Sequence, residues 1–575
     1  MNNLIKREGK KVPNKKRTHI FLNINISCIA TSMLGTALTT ALPPILKDLH
    51  ITVDTGQWLT SGFGLFLAIM TPFTAFLISR FRTKILYCLA VSFFIVGLSI
   101  CAVSRNFYLM MLGRIIQGCG NGLLSSMAQV IILTIYPPDR IGTMMGWYGL
   151  SIGVAPIIAP TLAGILVDTV GWRMIFVIAI GIMCISLLCA IFVFEDVLPT
   201  MRKKFDVISL ILSGLTFGGI TFAIGNMGTY DFVSYHVLFS FIVGLVAGII
   251  FTYRQLHLDV PFLDVRILKN KDYSVSLAST VILNLILLGT SIVFPVYVQQ
   301  IKGYPATISG LNALPGSLCM AIVSPFAGKL YDKVGIKFLF IFGSLVLSLA
   351  NFAVYFISFE TSIWLVSFLN IFRMVSIGCL LMPLVTWAMK DVPKYKASDA
   401  TALYNSIRFI GGAVGSALFI SIMTKVANTI GKDMEHPTMY GFRVVNLVMG
   451  CFAFISVLLG IFGCNQKLFG NPDKKKKENE IKKPEQEMTI KDNSGVEIIV
   501  DDKKESGENS KSETGTMVDN EISNQEGHVK DISEIETIMD NDDFSKGAST
   551  NNSSISNMEV IVNNNNNNNN NNISK

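Results

Sequence analysis

The stretch Leu112-Gly113-Arg114-Ile115-Ile116-Gln117-Gly118-Cys119-Gly120-Asn121-Gly122 lies inside an otherwise apolar run from 107 to 134. Its reading decides the fold. The run exceeds the roughly 20 residues that carry a helix across a bilayer, and no strand precedes it to make the glycines a nucleotide loop. As a helix it sets Arg114 and Gln117 three residues apart on one face, while Gly118, Gly120 and Gly122 let neighbouring helices approach closely. An arginine at membrane depth costs about 2.5 to 3.5 kcal/mol on insertion scales, so it turns toward the protein interior or a cavity.

Outward from this run the same length rule finds thirteen further spans. They lie near 20–42, 57–79, 84–104, 143–167, 174–194 and 207–228, then near 236–254, 273–300, 305–328, 337–358, 361–389, 402–424 and 440–464. The chain is 51% hydrophobic and 15% charged, with a mean hydropathy of +0.50, values that a soluble surface cannot carry. The expected fold class is therefore all-α, a polytopic membrane protein with 14 transmembrane helices.

Charge divides the chain at Cys464. The body carries 34 Lys+Arg and 18 Asp+Glu, whereas 465–575 carries 14 and 22 and contains ten consecutive asparagines, Asn563 to Asn572. Such a polar segment buries too little apolar surface to offset the entropy of ordering, so 465–575 is predicted to be a disordered tail. Loop lysines and arginines orient the body. With the N-terminus inside, 24 of them face the cytoplasm and 7 the outside, which puts both termini in the cytoplasm. All 18 acidic residues fall in loops or at helix ends, while Arg114, Arg373 and Arg408 fall within spans. Arg408, close to an inner helix end, is equally well read as snorkelling to the interface. The ten cysteines lie in apolar stretches without a CxxC or a Cys/His cluster, so neither a disulfide framework nor a metal is expected.

A short basic loop recurs. Arg80, Arg82 and Lys84 follow the second span, and Gly328-Lys329-Leu330-Tyr331-Asp332-Lys333-Val334-Gly335-Ile336-Lys337 follows the tenth. In the second copy Gly328 and Gly335 permit close approach and a tight reversal, and Asp332 can accept bonds from helix-terminal amides. This copy resembles the loop motif GxLxDxxGxK of the major facilitator superfamily; in the first copy Ala75, Ser79 and Arg82 replace its Gly, Asp and second Gly. The stretch around Arg114 is similar to that family's fourth-helix motif RxxQGxG at every position. The fifth span, with Gly149, Gly153, Pro156, Pro160 and Ala163-Gly164, resembles its antiporter motif, with Ala155, Ala159 and Ala163 in place of three glycines. Gln57-Trp58-Leu59-Thr60, Gly171-Trp172-Arg173 and Phe294-Pro295-Val296-Tyr297 are similar to its 14-helix drug:proton antiporter branch.

The resemblance implies a division into a basic N-terminal segment 1–19, a six-helix bundle 20–194, two additional helices 195–272, a second six-helix bundle 273–464 and the tail. It implies a monomeric secondary exporter of amphipathic drugs in a lipid bilayer, coupled to protons, with small-molecule substrates and no cofactor, nucleic-acid partner or enzymatic activity. The candidate substrate and coupling residues of such a carrier are Arg114 and Gln117, which the fourth-helix motif carries, with Thr36, Thr39, Asn284 and Arg373 as further polar groups within the spans. Gly118, Gly120, Pro156, Pro160, Gly164, Gly328, Asp332, Gly335 and Lys337 are the implied gating and packing residues. The branch places an Asp in the first helix where this chain has Leu34, and an Asn where it has Thr39. A carrier of a defined metabolite, of the amino-acid or siderophore class, and a non-transporting receptor remain alternatives. The plasma membrane of a eukaryotic host is the expected location, a vacuolar membrane the alternative.

Overall fold

A helix leaves the amides of its first turn without intrahelical partners, and several helices of this chain start where a side-chain oxygen meets them. The Asn106 amide oxygen accepts from the Leu109 N–H at 2.8 Å, Thr52 accepts from Thr55, and Asn270 accepts from both Asp272 and Tyr273. The computed structural model describes residues 5–7, 9–10, 12–201, 203, 205–226, 234–429, 434–465, 490–491 and 497–498. The side chains at 5–7, 36, 39, 53, 54, 57, 156, 157, 160, 161, 306, 490, 491, 497 and 498 lie outside that description.

The helices are α1 (Asn14–Asp48), α2 (Val53–Arg80), α3 (Thr83–Val103), α4 (Phe107–Ile135), α5 (Ile141–Thr169), α6 (Arg173–Val193), α7 (Val207–Ser213), α8 (Gly219–Asn226) and α9 (Tyr235–His257). After them come α10 (Lys271–Val296), α11 (Ala306–Val334), α12 (Ile336–Tyr355), α13 (Ile363–Met389), α14 (Ala397–Asn428) and α15 (Pro437–Leu458). A π-helical turn, Gly214–Gly218, joins α7 and α8 into one span, Val207–Asn226. Among the described residues twelve helices are long and apolar enough to cross a bilayer, and α1, bent by 60°, makes a thirteenth. The 29-residue α5, about 43 Å long, completes the fourteen.

These helices follow the predicted spans closely, with two informative extensions. α11 continues to Val334 and takes the basic loop motif into its last turn, and α14 starts at Ala397, which puts Asp399 in its first turn. Gly335 then reverses the chain between α11 and α12 at φ 87°, a left-handed conformation that a side chain would strain.

Two halves repeat one packing plan. In the first, α3 packs on α4 and α6, α2 on α4, and α1 on α5 and α6; in the second, α12 packs on α13 and α15, α11 on α13, and α10 on α14 and α15. The fifth helix of each half meets the second helix of the other, so α5 lies on α11 and α14 on α2. The additional helices α7 to α9 form a pair whose first member also contacts α2 and α14. Asp206 ties this pair together, capping α7 and accepting from Arg254 of α9 at 3.1 Å.

An even number of spans leaves both ends of the helical body on one face, the terminal face. There β1 (Ile5–Arg7) pairs antiparallel with β2 (Thr200–Met201), a short addition to the helical plan. Lys16 also bonds Glu195, so the N-terminal segment is docked on the chain that follows α6. Residues 485–575 form a separate unit, whose described part is an antiparallel pair of two-residue strands, β3 (Ile490–Lys491) and β4 (Glu497–Ile498). Apart from Asn465 and these two short strands, the tail predicted to be disordered lies outside the described residues.

Gly118 is tightly confined. A Cβ there would stand 2.8 Å from the Phe63 carbonyl oxygen of α2, and one at Gly120 would stand 3.0 Å from backbone atoms of α3, whereas one at Gly164 would meet nothing within 4 Å. Overpacking of a closed contact costs about 1 to 3 kcal/mol. Gly118→Val is therefore expected to lower the melting temperature of the detergent-purified protein by several degrees, and Gly164→Ala to leave it unchanged. Equal melting temperatures in a thermal-shift assay would contradict this packing.

Candidate functional site

Between the first half and α14 lies a cavity of about 170 Å³. Its wall is largely apolar, with Ile24, Leu67, Leu124 and Ile152, and is set with the polar groups of Ser27, Thr31 and Ser32 of α1, Asn121, Ser125 and Gln129 of α4, and Tyr148 of α5. Arg408 and Phe409 of α14 close it from the second half. Helix spacing explains the set, because Asn121, Ser125, Ala128 and Gln129 recur at three or four residues and share one face of α4. One turn before Arg408, Asn405 donates to the Gln129 amide oxygen at 3.0 Å, which bonds the two halves across the cavity. The lining contains no carboxylate among the described residues.

The sequence-predicted site residues do not gather there. Arg114 is fully buried within the first half; its Nε donates to the Leu59 carbonyl at 3.0 Å, its Nη1 to Gln117 Oε1 at 2.7 Å, and the guanidinium stands 4.2 Å over the Phe63 ring. Gln117 in turn donates to the Cys101 sulfur. Arg373 repeats the arrangement in the second half, donating to Asn446 Oδ1 at 2.7 Å and to Thr290 Oγ1 at 3.4 Å. Both arginines sit on the fourth helix of their half. Neither lines the cavity. The half-buried Asn284 spends its amide on the Thr280 carbonyl of its own helix. The side chains of Thr36, Thr39, Pro156 and Pro160 lie outside those described.

The gating residues of the second copy do gather, at the terminal-face end of the α5–α11 seam. Asp332 accepts from the backbone N–H groups of Gly142 and Thr143 at 2.8 and 2.7 Å and from the Thr143 hydroxyl at 2.5 Å. A carboxylate is thereby placed on the amino-terminal turn of α5, where the helix dipole favours it. The seam closes tightly because Gly328 faces Gly142; a Cβ at Gly328 would stand 2.1 Å from the Gly142 carbonyl oxygen. Lys337 is half-exposed one turn beyond. Ser324 continues the contact by donating to the Gly146 carbonyl. Toward the opposite face the glycines of these helices, Gly164 and Gly310, stand in open space.

The α2–α14 seam is built differently. Ser79, in the position of Asp332, shares a 3.1 Å bond with Ser398. The acid is on the other helix: Asp399 accepts from Lys203 at 2.8 and 2.9 Å, with both side chains buried to within 6%. Lys203 comes from the segment between α6 and α7. Beside it Asp264 accepts from Lys396 at 2.6 Å. Sequence reasoning left Arg408 evenly between the interior and the interface, and missed the Gln129–Asn405 bond and the Lys203–Asp399 pair. Asn405 and Arg408 carried the same signal as Arg114 and Gln117, polar groups three apart in an apolar span; Lys203 was hidden among the basic loop residues.

The profile of the Major Facilitator Superfamily matches residues 21–416. The lincomycin resistance protein LmrB of Listeria monocytogenes is 35% identical over 74% of this chain and 92% of its own length. The multidrug export protein EmrB of Haemophilus influenzae is 27% identical over 69% and 78%. Among solved structures, the human organic anion transporter MFSD10 superposes with a TM-score of 0.56 at 11% identity, covering 78% of this chain and all of that one, which is a likeness of fold.

Removing one member of a buried ion pair costs about 3 to 5 kcal/mol, because the other charge is left unpaired. Asp399→Asn is accordingly expected to destabilise the protein by that order in a thermal or denaturant assay. Lys203→Met combined with Asp399→Leu should recover most of the loss. A single variant as stable as the parent would show that the pair holds nothing together.

Proposed function

The chain belongs to the major facilitator superfamily and is a multi-pass membrane transporter, not an enzyme; from this premise we propose that it exports amphipathic small molecules by alternating access, with protons moving the opposite way. The observation that carries the reading is the disposition of the seams. The halves bond to each other at the terminal face through Asp332, Ser79 and Ser398, and a cavity of mixed apolar and polar lining lies between the first half and α14. An exporter resting with its cytoplasmic gate shut needs such a site between halves that rock about it.

The direction follows from charge and relatives. Twenty-four loop and N-terminal cations against seven favour a cytoplasmic terminal face, so the shut gate is the cytoplasmic one. The names of LmrB and EmrB, a lincomycin resistance protein and a multidrug export protein, support drugs as substrates over a metabolite carrier. Arg114 with Gln117 and Arg373 with Asn446 are internal ties that let each half move as a body. The carrier works as a monomer in the plasma membrane. Protons reach the carboxylates at the two gates, Asp332 and Asp399, since the cavity has none of its own among the described residues.

Two measurements test this. In inverted vesicles, an imposed gradient with acid inside should drive accumulation of a fluorescent amphiphile several-fold above vesicles without the gradient, and collapsing the gradient should abolish the difference. Accumulation indifferent to the gradient contradicts proton antiport. In a glycosylating host the sequons at Asn551, Asn552 and Asn572 should stay unmodified; glycan there would reverse the orientation.

A further inference from the structure

Of three buried arginines in the spans, two are engaged by protein oxygens and one is not. Arg114 has the Leu59 carbonyl and Gln117, and Arg373 has Asn446 and Thr290. Arg408 is 92% buried, since only 8% of it is exposed. Its Nε has no hydrogen-bond partner, no carboxylate of the described residues pairs with it, and its guanidinium stands 5.1 Å over the Phe409 ring. It lines the cavity that Asn121, Gln129 and Tyr148 share. Asp399, nine residues away on the same helix, is bound to Lys203.

We propose that Arg408 is the recognition group for a carboxylate on the transported molecule, so that the cavity takes amphipathic organic carboxylates in preference to neutral or cationic analogues. The inference rests on the exporter reading and names the substrate class of that same cavity. A guanidinium held in a low-dielectric pocket without a counter-charge is unfavourable, and a bound carboxylate supplies the missing charge while filling two of its donors at once. The neutral oxygens and amides of Asn121, Gln129 and Tyr148 then hydrogen-bond the remainder of a polar head. Cations meet the opposite circumstance, a like charge and no acid in the lining among the described residues.

The test uses the full chain purified into lipid nanodiscs and two matched probes, dansyl-phenylalanine and its uncharged amide, titrated by fluorescence with empty nanodiscs subtracted. The parent protein should bind the carboxylate about 10- to 100-fold more tightly than the amide, the range given by a hydrogen bond to a charged group. Arg408→Gln should bring the two affinities together by weakening the carboxylate alone. Arg408→Lys should retain an intermediate preference, because an ammonium keeps the charge and loses the planar fork. Equal affinities in the parent, binding of neither probe, or a preference that survives Arg408→Gln overturns the proposal. If Arg408→Gln does not purify as a folded protein, the parent and Arg408→Lys comparisons decide. Gradient-driven accumulation of other compounds would still stand in each of those cases, so the carboxylate inference fails separately from the exporter reading.

Discussion

One carboxylate holds the geometry on which the rest depends. Asp332 receives two backbone amides and a hydroxyl from the first turn of α5, and Gly328 and Gly142 let the two helices come close enough for it to do so. In hydrocarbon every polar group must find its partner within the protein, so a bond set at a helix end decides where two bundles meet. The seam is fastened at the terminal face, while a Cβ on Gly164 or Gly310, toward the other face, would meet nothing within 4 Å.

The second seam uses the same positions with other chemistry. Gly142 and Thr143 are the second and third residues of α5; Ser398 and Asp399 are the second and third of α14. Where the first seam sets an acid from α11 on the amides of α5, the second puts the acid on α14 itself and neutralises it with Lys203, reaching in from the segment that leads to the additional helices. That segment also pairs with the N-terminal strand β1. The pair thus joins the docked N-terminal segment, the additional helices and the second seam in one structure on the terminal face.

Length and apolarity made the spans legible, since a hydrocarbon core accepts little else. The motif around Asp332 could also be read, because a glycine, an acid and a second glycine at those spacings describe a turn and a helix cap. What was not legible was which polar helix residues share a cavity. Arg114 satisfied every local criterion for a cavity-facing group, yet the Leu59 carbonyl and Gln117 engage it inside its own half. Arg408 could be read equally as an interior or an interfacial residue, and the start of α14 five residues earlier than the predicted span sets it inward. Neither outcome is contained in periodicity, which reports a face of a helix and is silent on which neighbour covers that face. Lys203 was harder still, because a lysine in a basic loop is usually solvated and its partner is distant in sequence.

The most direct test of alternating access is the distance between spin labels across the α5–α11 seam, with one pair at the terminal face, Asp139→Cys and Lys333→Cys, and one at the opposite face, Asp168→Cys and Thr307→Cys, in a background without native cysteines. The account predicts reciprocal populations: as substrate and pH are varied in nanodiscs, the terminal-face distance lengthens in the same molecules whose opposite-face distance shortens. Distances that change together, or a terminal-face pair that stays short while transport proceeds, would contradict it.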